Sequence, residues 1–177
     1  MKKLTSVIDS ILSKVLIVLM AVMVLDVTWQ VITRFILKHP SSFTEELANF
    51  LLIWIGLLGA SYALRTKAHL GIDVLTYKLK GVKRYISSLF INTCIFLFSF
   101  AVLVLGGIRL VQITLDLNQI SAALGIKMGC VYTVLPLTGL LMMYYSLFFI
   151  YETIMDWKGW GSGEEKSPER VTATMID

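Results

Sequence analysis

The sequence predicts an all-α integral membrane protein: four transmembrane helices plus short interfacial amphipathic helices, with both termini cytoplasmic. Three observations carry this reading. First, 56% of the 177 residues are hydrophobic and only 16% are charged, with a mean hydropathy of +0.76, whereas soluble domains carry about 25% charged residues. Second, the stretches 15–37, 45–64, 86–113 and 131–154 are each long and apolar enough to cross a hydrocarbon core, which takes about 20 residues. Third, twelve of the sixteen cationic residues fall on one side of that four-span pattern. They lie at Lys2, Lys3 and Lys14, between spans two and three from Arg65 to Arg84, and at Lys158, Lys166 and Arg170. The positive-inside rule places that side in the cytoplasm.

The first span is read as a retained helix. Lys2 and Lys3 before an apolar run resemble a signal peptide, but Asp26, Trp29 and Arg34 follow in place of a small-residue cleavage site. Residues 4–15 carry Leu4, Val7, Ile8, Ile11, Leu12 and Val15 on one stripe, which reads as an amphipathic helix at the inner interface or as an extension of span one. Within the span, Asp26, Trp29, Gln30, Thr33 and Arg34 share a face. A charge near mid-membrane costs about 2.5–3.5 kcal/mol on insertion scales, so Asp26 is expected to face protein. Its two readings are an ion site and adhesion to another helix or subunit. Arg34 lies ~12 Å away along the axis, too far for a direct pair without an intermediary such as Gln30.

Span two opens with the paired Glu45 and Glu46. Ser42 stands three residues before Glu45, the spacing of a capping box, and both carboxylates complement the positive end of the helix dipole. Arg34 and Arg109 fall at a similar outer depth, so the expectation is that Glu45 and Glu46 pair with them and close the bundle at its outer rim. Further in, Gly56, Gly59, Ala60 and Ala63 form a small-residue face suited to close helix packing, on this chain or on a partner.

Between spans two and three, residues 71–84 read either as a second interfacial helix or as a basic loop beside anionic headgroups. Span three places Ser88, Asn92, Ser99, Gly106 and Arg109 near helical spacing, as the inner face of a bundle. Span four ends at Trp157, Lys158 and Trp160, an interfacial anchor. The chain divides into a membrane domain, 1–157, and a flexible cytoplasmic tail, 158–177.

Several functions are disfavoured. His39 and His69 fall in loops and not in spans, where membrane haem ligands sit. Cys94 and Cys130 lie at different depths, so neither a disulfide nor a metal pair is expected. No nucleophile–base arrangement, phosphate loop or metal motif is present. The residues therefore predict a non-enzyme with no cofactor and no nucleic-acid partner.

Three segments resemble one family. "WQVITRF" (29–35), "FTEELANFLLIWIGLLGASYALRTKAHLGIDVL" (43–75) and "NQISAALGIKMGCVYTVLPLTG" (118–139) are similar, in order, to the small membrane subunit of tripartite ATP-independent periplasmic (TRAP) transporters. The match includes Glu45, Glu46, Trp54, Gly56, Gly59 and Ala60, then His69 and Asp73 of the inner loop; Ala122 stands where many relatives have proline. The resemblance implies a non-catalytic scaffold in the bacterial inner membrane. It would brace a large multi-span, elevator-type subunit that carries the substrate and sodium sites. A periplasmic substrate-binding protein would deliver carboxylates such as sialic acid or C4-dicarboxylates. The alternative reading is a self-sufficient small transporter or channel that uses Asp26; a third is the membrane anchor of a redox enzyme.

Overall fold

The computed structural model describes residues 2–38, 41–66 and 82–161. With no water in a bilayer core to satisfy N–H and C=O groups, apolar stretches of this length must pair their backbone internally, and all four are helical. The first two spans are α1 (Lys2–Phe35) and α2 (Ser42–Arg65). Span three joins α3 (Val82–Phe98), a π-helical stretch (Ser99–Gly106) and α4 (Gly107–Asp116). Span four joins a short α5 (Met128–Tyr132) to α6 (Val134–Gly161). By length and composition, Thr5–Phe35, Ser42–Arg65, Tyr85–Asp116 and Met128–Met155 can each cross a membrane.

Residues 4–15 form no separate element. They continue α1, which at 34 residues is about 51 Å long, well beyond a hydrocarbon core of about 30 Å. His69, Asp73 and residues 71–81 of the candidate second interfacial helix lie outside the described residues, as does the tail from 162 onward. The start of the expected tail, 158–161, continues α6.

The helices pack as a row and not as a closed bundle. α1 lies along α2, α2 packs on α6, and α6 packs on span three. The order across the row is therefore one, two, four, three. Within the first pair the run is antiparallel: residues 36–41 connect one end, and Asp9 meets Arg65 at the other. The second pair is also antiparallel, with Ser88 beside Thr153 and Gly107 beside Pro136. Leu12, Leu58, Leu64, Val134, Tyr145 and Phe149 form the core where α1, α2 and span four meet. The outer flanks of the row stay open; Leu25 and Phe35 on α1 are 70% and 72% exposed.

Two spans depart from the regular helices the pattern suggests. In span three the buried positions run through Ser99 and Leu103 to Gly107 and Thr114, while Gly106 and Arg109 are exposed. The i→i+5 bonding of a π stretch widens its turns and moves the buried face past the register that an uninterrupted 3.6-residue repeat assigns. Span four breaks at Thr133. Pro136 has no N–H for the carbonyl four residues back, and its ring crowds that carbonyl. At the break, the Val131 carbonyl accepts a hydrogen bond from the Trp54 indole N–H at 3.1 Å. Trp54→Phe keeps the ring but removes this donor. The expected loss is about 1 kcal/mol, read as a lower midpoint in detergent-induced unfolding.

Candidate functional site

α2 lies between α1 and span four, and polar contacts tie both its ends. At its start Glu46 reaches the loop between spans three and four. The Ser121 hydroxyl and the backbone N–H groups of Ala123 (2.9 Å) and Leu124 (3.0 Å) donate to Oε2, and the Ala122 N–H donates to Oε1 at 3.1 Å. Three consecutive amides in one turn make a concave anion receptor. The loop folds to present them. Ser121 N–H donates to the Ile126 carbonyl, Met128 N–H to the Gln119 carbonyl, and Gly125 takes a positive φ of 65°, which glycine adopts without steric cost.

At the far end of α2, Arg65 Nε donates to Asp9 Oδ2 of α1 at 2.9 Å, and the Tyr145 hydroxyl of α6 donates to Asp9 Oδ1 at 2.8 Å. The Arg65 guanidinium lies 5.7 Å from the Phe148 ring centroid, within cation–π range. Glu46 and Arg65 are nineteen residues apart, about 28 Å along a helix. That is close to the thickness of a hydrocarbon core, so the two polar ties bracket the apolar interior.

This geometry corrects the expected outer-rim pairing. Glu46 turns to the 121–124 loop, not to Arg34 or Arg109, because four converging donors satisfy a carboxylate more fully than one guanidinium. Arg109 is exposed. Glu45 and Arg34 line a common cavity with Gln30 and Ser41, but the ion pair formed among the described residues is Asp9–Arg65. The capping box is also absent. α2 starts one residue earlier than that motif needs, with Ser41 as its N-cap and no side-chain capping bond.

The polar stripe of span one splits. Asp26 and Thr33 are buried and Gln30 half-buried, whereas Trp29 and Arg34 are exposed. At about 100° per residue, Trp29 lies about 60° to one side of Asp26 and Arg34 about 80° to the other. Only the centre of the stripe therefore faces protein. Asp26 is 8% exposed and its Oδ2 has no hydrogen-bond partner.

The glycines of the small-residue face of span two have no close neighbour among the described residues. A Cβ at Gly56 or Gly59 would meet nothing within 4 Å; Ala60 and Ala63 are half-buried. Close glycine packing occurs between spans three and four instead. A Cβ at Gly139 would lie 2.8 Å from Leu103 Cβ, one at Gly107 would lie 3.0 Å from Leu135 Cβ, and one at Gly129 would lie 2.6 Å from Leu115 Cδ2.

Residues 23–156 match the family described as tripartite ATP-independent periplasmic transporters, DctQ component. The chain belongs to this family. It is 28% identical, over 97% of its length and 98% of the relative's, to the sialic acid TRAP transporter small permease protein SiaQ of Vibrio cholerae. Over 65% of its length it is 32% identical to the sialic acid TRAP transporter permease protein SiaT of Haemophilus influenzae, of which the match spans only 18%. Over 67% it is 28% identical to the isethionate TRAP transporter permease protein DctMQ of Oleidesulfovibrio alaskensis, with 20% of that protein matched. In both long relatives the part resembling this chain is a minor share of a larger permease polypeptide.

Within this DctQ component, sequence reasoning found Glu46 but not its partner loop, and it missed the Asp9–Arg65–Tyr145 tie. One signal was available: Asp9 is the one acid among residues 1–25, and Arg65 is the last residue of the neighbouring antiparallel span at the same end. As a TRAP permease component, the chain is an inner-membrane protein and a transporter subunit, not an enzyme.

Proposed function

We propose that this chain is the non-catalytic scaffold subunit of a sodium-driven TRAP complex that imports carboxylates, and that it braces the stationary part of the large membrane subunit. One observation carries the reading. The Gly56–Gly59 face of α2 has the composition of a close-packing surface, yet none of the described residues comes within 4 Å of a Cβ placed at either glycine. The long permease relatives support a large subunit as the occupant, since they join a segment like this one to a much longer chain. The open row adds to this, because helices in a row leave broader faces uncovered than helices closed around one core. In the orientation set by the cationic residues, the Glu46-held loop faces the periplasm, where a substrate-binding protein docks. Sialic acid and C4-dicarboxylates are the substrate classes this reading assigns.

The test is reconstitution. The isolated chain in liposomes should show no sodium-gradient-driven uptake, and co-reconstitution with the large subunit should restore it. Gly56→Leu with Gly59→Leu should leave the helicity of the isolated chain intact, because both sites open to free space. The same double variant should reduce co-purification with the large subunit at least tenfold, the effect of about 1.4 kcal/mol. Uptake by the isolated chain would overturn the scaffold reading. It would favour the alternative in which Asp26, whose Oδ2 is buried without a hydrogen-bond partner, serves as an ion site; Asp26→Asn would then abolish that flux.

A further inference from the structure

A cavity of about 230 Å³ opens between α1 and α2 at the end where residues 36–41 connect them, lined by Gln30, Arg34, Ser41 and Glu45. All four described lining residues are polar, although the two helices are otherwise strongly apolar. Arg34 and Glu45 carry opposite charges and face the same space, yet they form no ion pair within 4 Å. The Ser41 side chain makes no capping bond to α2. The cavity therefore sets a guanidinium, an amide and a hydroxyl against a carboxylate, with room between them.

The depth of the site narrows its occupant. The end of α1 and the start of α2, two helices long enough to span a membrane, fall at the level of lipid headgroups. Phe35 and Phe43 flank the connection and are 72% and 50% exposed, and Trp29 on α1 is 54% exposed; aromatic side chains are enriched at membrane interfaces. A soluble metabolite has no use for such a surround, whereas a lipid places its headgroup in the cavity and its acyl chains along the apolar flanks.

We infer that this cavity is a binding site for the zwitterionic headgroup of an aminophospholipid, the phosphodiester on Arg34 and Ser41 and the primary ammonium on Glu45. Guanidinium donors match phosphate oxygens in a planar fork. A primary ammonium offers three N–H donors to a carboxylate, and a trimethylated ammonium offers none. The site therefore selects phosphatidylethanolamine over phosphatidylcholine through Glu45, and over phosphatidylglycerol through the missing cation.

The test uses the chain with its large subunit, delipidated and returned to nanodiscs of phosphatidylcholine doped equally with phosphatidylethanolamine and phosphatidylglycerol. Lipid retained on the complex is read by native mass spectrometry. The expected result is about a tenfold enrichment of phosphatidylethanolamine, the scale of one charge-assisted hydrogen bond. Glu45→Gln should abolish the preference over phosphatidylcholine while phosphate binding persists; Arg34→Gln should reduce retention of all three lipids. Circular dichroism and co-purification report whether each variant folds and assembles. Equal retention of the three lipids by the wild type would overturn the proposal, as would an unchanged preference in a folded Glu45→Gln, Arg34→Gln double variant. Soluble O-phosphoethanolamine that displaced the lipid at comparable concentration would overturn the lipid as source. A cavity filled by the large subunit would appear as no retained lipid and would overturn it too.

Discussion

Gly139→Val is expected to separate spans three and four. The added Cβ would stand 2.8 Å from both Leu103 Cβ and Val104 Cγ2, and 3.1 Å from the Val104 backbone nitrogen. Side chains can rotate away from such a clash, but a helix backbone in a packed pair cannot. Overpacking typically costs about 1–3 kcal/mol, and backbone involvement puts this site at the upper end. The opposing effect, relief of the poor helix propensity of glycine, is worth under about 1 kcal/mol. The net loss is therefore about 2–3 kcal/mol, read as a lower unfolding midpoint in a denaturing-detergent titration. Gly56→Val, with nothing within 4 Å of its Cβ, supplies the control and should leave that midpoint unchanged or higher. Equal losses at the two sites would refute the assignment of close packing to spans three and four.

Glu46→Ala is expected to release the loop between spans three and four. Four donors converge on this one carboxylate, and alanine strips all four. Water can reach part of the turn, so the effect is a local opening and not global unfolding. The amides of Ala122, Ala123 and Leu124 should lose protection in hydrogen–deuterium exchange, while the segments of α2 keep theirs. The remaining substitutions grade the effect. Glu46→Gln keeps one acceptor oxygen, and with it at the Oε2 position three donors stay satisfied; only the Ala122 N–H faces an amide nitrogen. Glu46→Asp keeps both oxygens but is one methylene short. Exchange should rise in the order Gln, then Asp, then Ala. Unchanged exchange in Glu46→Ala would show that the loop holds its shape without the carboxylate.

These two cases show why glycine and glutamate had different meanings at different positions. Small residues spaced along one helix face predict close packing, and the prediction for Gly56 and Gly59 rests on that spacing alone. Whether a neighbour arrives at that face depends on the helix order across the membrane, which no local spacing encodes. The order one, two, four, three leaves the face open and brings Gly107, Gly129 and Gly139 into contact instead. Glu45 and Glu46 are adjacent in sequence, but helical geometry points them about 100° apart. One meets the loop of a distant segment and the other a cavity beside Arg34.

The sequence by itself determined that the chain is a membrane protein with four apolar spans, and roughly where each lies, because hydrocarbon imposes a length and an apolar composition that can be read residue by residue. It also identified the motifs of the DctQ family, since they are local strings. The tertiary structure alone decided which charges meet. Asp9, Arg65 and Tyr145 come from three helices, and Glu46 finds its donors 75 to 78 residues away. It likewise decided the break at Thr133 and the π-helical shift that carries Arg109 out of the packed face. The physical reason is the same throughout. Burial of apolar surface in lipid fixes segments independently, whereas hydrogen bonds and close packing depend on the few ångströms that only helix order and register set.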